Sequence, residues 1–273
     1  MPTHVDHDST VARLADTWTA IGTLYEGLAD ADYDRPTCLP GWTVRDQLAH
    51  IIGTEYSLAG EQAPDVDVSS ADYVRNDIGR MNERWIASMR GLRGPEILAR
   101  FREVTAARLA VLGAMTQADF DAPSWTPAGP DETYGRFMRI RHYDSFIHEH
   151  DAREAVGAPA RNNPAALDFC LAEVATALGF VVGRRAGIPS GSRVRIELTG
   201  PAARTYLIDV TDRARLVEAF DGDPTVGITL SAALFLRLTA GRRGAEPHVN
   251  KEVDLAGDRV LAQQLATNLA FTI

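Results

Sequence analysis

The chain has 273 residues, more than one typical domain, and its 45% hydrophobic and 24% charged residues are the balance of a globular protein that buries its own core. A net charge of −9 argues against a nucleic-acid partner, whose phosphates call for a basic face. The only cysteines, Cys38 and Cys170, form neither a CxxC pair nor a disulfide framework, so a reducing cytoplasm is the expected compartment.

The first eleven residues are polar and lack the basic-then-apolar order of a secretion signal. No stretch is expected to reach the roughly 18 apolar residues of a membrane helix; the most apolar run, residues 169–182, is interrupted by Glu173. Leu14, Trp18, Ile21, Leu24, Tyr25 and Leu28 then fall at helical spacing, which predicts a helix over residues 11–28 capped by Asp8 or Ser9. Residues 35–41, with two prolines and a glycine, predict a loop. Thr43 followed by Asp46 resembles a capping box for the next helix, which carries Val44, Leu48, Ile51 and Ile52 towards the core.

Further helices are predicted over residues 71–89, 95–115 and 134–155, with a Pro-, Gly- and Asp-rich loop at 121–132. The last of these helices stops at Gly157 with Pro159 beyond. Residues 157–164 are the most linker-like stretch. After it a helix over 165–184 leads into alternating strands at 194–198, 206–210 and 226–230, a helix at 232–239, a strand at 253–255 and a closing helix at 259–269. The first half therefore reads as all-α and the second as α+β.

One helix face carries chemistry. Arg141, Asp144, His148 and Asp151 recur at i, i+3, i+7 and i+10 among Phe137, Ile140, Phe146 and Ile147. Such a polar strip is costly in a bundle unless its members are paired or hold an ion. Asp144 and His148 can present a carboxylate oxygen and an imidazole nitrogen to one cation, as bundle metal sites do. Such a pair is more often an exposed side-chain hydrogen bond than a metal site. His150 points about 200° around the helix from His148 and cannot share its ion. His50, near the middle of the second helix, is the natural third ligand, or else a satisfied core histidine. Together the three would leave positions open, as in many catalytic zinc sites.

The run Arg35-Pro36-Thr37, followed by Pro40-Gly41-Trp42-Thr43-Val44-Arg45-Asp46 and Ala49-His50, resembles the N-terminal signature of the mycothiol-dependent maleylpyruvate isomerase family, a branch of the DinB-like superfamily. The run Arg141-His142-Tyr143-Asp144-Ser145-Phe146-Ile147-His148-Glu149-His150-Asp151-Ala152-Arg153-Glu154-Ala155-Val156-Gly157 resembles its second signature. Thr229-Leu230-Ser231, Leu238-Thr239-Ala240-Gly241-Arg242-Arg243 and Gly257-Asp258 resemble its C-terminal domain.

The resemblance implies a DinB-like up-down helical bundle over residues 1–157 and a smaller sterol-carrier-like α+β domain over 165–273. It implies a zinc or other divalent ion on His50, Asp144 and His148, with mycothiol, an actinobacterial thiol, as cosubstrate. The family's characterised isomerase has glutamate where this chain has Asp144, which bears most on substrate identity. Lys251 is the only lysine, an arginine bias that fits a GC-rich actinobacterial genome. Arg141 and Asp151 match family positions and are expected to support the ligands or pair helices, while Trp42 is expected to anchor its loop in the core.

The expected activity is isomerisation of, or S-transfer to, a small electrophile by a monomer or homodimer without nucleic-acid or membrane partners. Two other readings stand beside it: a metal-binding protein without thiol chemistry, hydrolytic or stress-related, and a lipid- or ligand-binding module with a structural metal.

Overall fold

A computed structural model of the chain describes residues 2–272, the side chain of Arg243 excepted. It divides into two compact units, Met1–Arg161 and Asn162–Ile273.

The first unit is helical. Helix α1 (His7–Glu26) starts where the Asp6 carboxylate accepts the Ser9 N–H, and it buries Leu14, Trp18, Ile21 and Tyr25. A 3₁₀ turn at Asp30–Asp34 follows. Helix α2 (Val44–Leu58) opens on the full capping box of Thr43 and Asp46 and is buried over most of its length. Next come α3 (Asp77–Met89), α4 (Gly94–Gly113) and a short α5 (Gln117–Asp121). Strands β1 (Pro123–Thr126) and β2 (Gly129–Thr133) form an antiparallel hairpin inside the stretch expected to be loop. Helix α6 (Tyr134–Val156) is capped by Thr133 and ends on Gly157 at φ +70°, a left-handed turn that glycine takes without strain.

Helices α1, α2, α4 and α6 form the bundle: α2 lies against α4 and α6, and α1 against the same two. Helix α3 packs outside α2. The close approach requires Gly53, where a Cβ would stand 2.4 Å from that of Trp85. Helix α3 starts six residues later than its apolar spacing suggests, because the Asn76 side chain accepts the Gly79 N–H and caps it there.

The second unit opens with α7 (Pro164–Phe180), extended by a π-helical turn, Val181–Arg185. Its five-stranded sheet has the order β5-β4-β3-β6-β7. The strands are β3 (Arg193–Thr199), β4 (Arg204–Val210), β5 (Ala214–Val217), β6 (Val226–Ser231) and β7 (Asp254–Gly257). The central β3 and β6 are parallel and the other pairs antiparallel. Helices α8 (Ala232–Thr239), α9 (Val249–Glu252) and α10 (Arg259–Thr267) complete the α+β unit.

The expectation that no stretch is long and apolar enough to cross a membrane needs correction. Pro164–Arg185 is long and apolar enough by length and composition, most of all over one window of 18 residues. Half of that window is buried within the structure, and Leu167, Leu171, Val174 and Leu178 are fully covered. The apolar run therefore serves as a core helix of this unit.

Candidate metal centre

The site forms where α2 and α6 face each other. His50 sits midway along α2, while Asp144 and His148 lie one turn apart on α6. One ligand atom from each of the three falls within 4.8 Å of the others. His50 Nε2 is 3.2 Å from Asp144 Oδ2, and His148 Nε2 is 3.3 Å from Asp144 Oδ1. Both imidazoles are buried, whereas the Asp144 side chain keeps 28% of its surface exposed, so the cluster is reached from outside at its carboxylate.

The donor set suits a divalent cation. Burial pushes the Asp144 carboxyl up, but His50, His148 and Arg141 outweigh this and hold it well below the ordinary carboxylate range. Burial lowers His50, with Asp144 opposing, which favours the neutral imidazole that a metal needs. Two imidazoles and one ionised carboxylate are the ligands of many catalytic zinc ions, which keep a position open.

Behind the three lies a buried ionic chain. Arg141 Nη1 donates to Asp144 Oδ2 at 2.5 Å, while its Nε and Nη2 donate to Glu55 Oε1 at 3.1 and 2.9 Å. The second oxygen of Glu55 accepts from Arg108 Nε of α4 at 2.8 Å. Arg141 thus both supports a candidate ligand and ties α6 to α2 and α4. It also occupies one oxygen of Asp144, leaving Oδ1 facing His148.

The loop before α2 closes one side. The Trp42 ring lies 5.3 Å from that of His50 and 5.7 Å from that of His148. Its Nε1 donates to buried Glu83 at 3.1 Å, which also accepts from Tyr73 and Arg90. Trp42 therefore anchors its loop as expected and, beyond that, walls the cluster. Asp151 accepts from Cys38 Sγ at 3.2 Å and lies 3.6 Å from His148 Nδ1.

His142 and His150 point elsewhere. His142 Nε2 is 3.2 Å from Thr17 Oγ1, and the His150 ring packs on Phe146. Gln47 and Glu55, both fully buried, went unnoticed in the sequence. Gln47 was detectable in principle, since it precedes His50 by three residues and so shares its helix face.

Comparison with known proteins places this arrangement. The family model described as mycothiol maleylpyruvate isomerase N-terminal domain matches residues 14–153, and the MDMPI C-terminal domain matches residues 168–264. This chain belongs to the mycothiol maleylpyruvate isomerase family. All three candidate ligands fall inside that family's N-terminal domain. The crystal structure of the mycothiol-dependent maleylpyruvate isomerase is similar with a TM-score of 0.59 at 16% identity, over 94% of this chain and 96% of that one. The same protein with one histidine replaced by alanine gives the same values. At this identity the likeness establishes the fold. No curated protein matches the chain.

Proposed function

We propose that this member of the family is a mycothiol-dependent metalloenzyme that isomerises, or transfers sulfur to, a small electrophilic substrate. The observation that carries the reading is the convergence of His50, Asp144 and His148 in the core of the family's N-terminal domain. A divalent ion held by these residues, zinc being the first choice, would supply the charge that keeps a thiol ionised near neutral pH.

The chain's own residues prepare that chemistry. Arg141 adds to His50 and His148 in holding Asp144 ionised, and grips it by one oxygen only. Trp42 packs beside both imidazoles and fixes one wall of the site. The exposed part of Asp144 marks the face where thiol and electrophile arrive. For a cis-enoyl acid, thiolate addition breaks the carbon–carbon π bond and moves its electron pair onto the conjugated carbonyl. Rotation about the resulting single bond and expulsion of the thiolate restore the double bond in the trans form, with no net gain or loss of atoms. Displacement at a carbon bearing a leaving group would instead give S-transfer from the same centre.

Metal analysis of the purified protein tests the site, and calorimetric titration with mycothiol tests the thiol. Near-stoichiometric metal is expected in the wild type and its loss in His50→Ala and Asp144→Ala. No metal above background in the wild type refutes the enzyme reading. Metal without mycothiol binding at millimolar thiol refutes the thiol dependence.

A further inference from the structure

The polar groups behind the two imidazoles are not equivalent. His50 Nδ1 is buried without a hydrogen-bond partner among the described residues. His148 Nδ1 instead meets Gln47 Oε1 at 2.5 Å. Which end of the Gln47 amide faces the ring follows from its other neighbours. Gln47 Nε2 lies 3.0 Å from Thr37 Oγ1 and 3.5 Å from the Thr43 carbonyl. A carbonyl can only accept. Thr37 has one hydroxyl proton, which it donates to the Trp42 carbonyl at 3.0 Å, so towards Gln47 it accepts as well. Both neighbours require N–H donors, and the amide oxygen is left for the imidazole. That oxygen accepts only, so His148 Nδ1 carries a proton. His148 Nε2 then faces Asp144 Oδ1 at 3.3 Å.

We infer that Gln47, oriented by Thr37, is the positioning residue of this centre, fixing His148 in the Nδ1–H tautomer with Nε2 aimed into the cluster. The role in metal binding rests on the proposed metal site; the tautomer does not. Asp151 is the rival partner, but its 3.6 Å separation from Nδ1 is beyond hydrogen-bond reach, and it accepts from Cys38.

The choice of an amide has its own consequence. A carboxylate behind a ligating histidine raises the ring's basicity and tightens metal binding. It also places negative charge near the open position and weakens the hold on an anionic ligand. Gln47 adds no charge to that of Asp151, 3.6 Å from the same nitrogen, so the centre retains more attraction for a thiolate than a carboxylate at position 47 would leave, at some cost in metal affinity.

The experiment has two readouts. In the metal-free protein, imidazole nitrogen chemical shifts report which His148 nitrogens carry protons, with a proton on Nδ1 expected in the wild type and that preference lost in Gln47→Leu. Chelator competition with cobalt(II) then measures metal affinity. Loss of a second-shell partner lowers affinity by about 10–100-fold, so Gln47→Leu is expected to fall in that range and Gln47→Glu to bind more tightly than the wild type. A residue needed only for packing would not produce the gain. Should circular dichroism show Gln47→Leu unfolded, Thr37→Val, which frees the amide to turn, is read instead and is expected to mix the tautomers.

A wild-type Nε2–H tautomer overturns the inference, as does unchanged affinity in folded Gln47→Leu. A loss in Asp151→Asn that exceeds the loss in Gln47→Leu also overturns it. A wild type that binds no cobalt refutes the proposed function, while the nitrogen shifts still decide the tautomer.

Discussion

Glu55 offers a sharp test of how the bundle is held together. Its carboxylate is 1% exposed and takes three N–H donors from two guanidiniums, at 2.8 Å from Arg108 and at 2.9 and 3.1 Å from Arg141. Glu55→Gln keeps the volume but removes the charge. The new amide NH2 must then face a guanidinium donor. Breaking a buried ion pair by altering one partner costs about 3–5 kcal/mol. Arg141 keeps Asp144 and Arg108 keeps the Glu55 carbonyl, so the lower end applies, about 3 kcal/mol. For a unit of this size each kcal/mol moves Tm by roughly 2–4 °C, giving a fall of about 6–12 °C. Thermal melts followed by far-UV circular dichroism, without metal, measure it. A fall under about 2 °C would refute the premise that this ionic chain fastens α2 to α4 and α6.

Three further outcomes follow from the geometry. Gly53→Ala drives a Cβ to 2.4 Å from that of Trp85, so α3 must shift; a loss of about 1–3 kcal/mol is expected from the urea midpoint. Burial, with Arg161 and Arg13 adding to it, lowers His142 to about 3, and burial lowers His150 to about 4. The unfolded chain binds these protons near pH 6.5 and the folded one does not, so stability is full above 6.5 and falls with pH below it. The slope is about 1.4 kcal/mol per pH unit per histidine, and His142→Gln should flatten it in acid denaturation. Cobalt(II) is expected to quench Trp42, whose ring adjoins both imidazoles. Trp42→Phe should remove most of the quenching in a fluorescence titration, and its persistence would place the metal elsewhere.

What the sequence made legible was local. Thr43 and Asp46 mark the start of α2 because a cap is built from residues three apart. Gly157 marks the end of α6 for a similar reason. The all-α first half and α+β second half follow from the change of apolar period. The β1–β2 hairpin was hidden because its strands are short, largely exposed and without clean alternation. Strand β5 was missed likewise, since none of its residues is buried. At the site, the signatures brought forward His50, Asp144 and His148, and the fold sets them side by side. The supports were not legible. Glu55 and Arg108 are 53 residues apart, and Gln47 and His148 are 101 apart, so no local spacing links them. The wall formed by Trp42 depends on a loop conformation that no periodicity encodes.

The partnership of α1 with α6 carries a cost during synthesis. Trp18 donates to Ser145 across 127 residues, and Thr17 meets His142 across 125. At roughly 5–20 residues per second, α6 leaves the ribosome on the order of ten seconds after α1. Throughout that interval Leu14, Trp18 and Ile21 have no α6 to cover them. The bundle that shelters the candidate centre therefore closes late, and its first helix waits without its α6 partner while the chain is still growing.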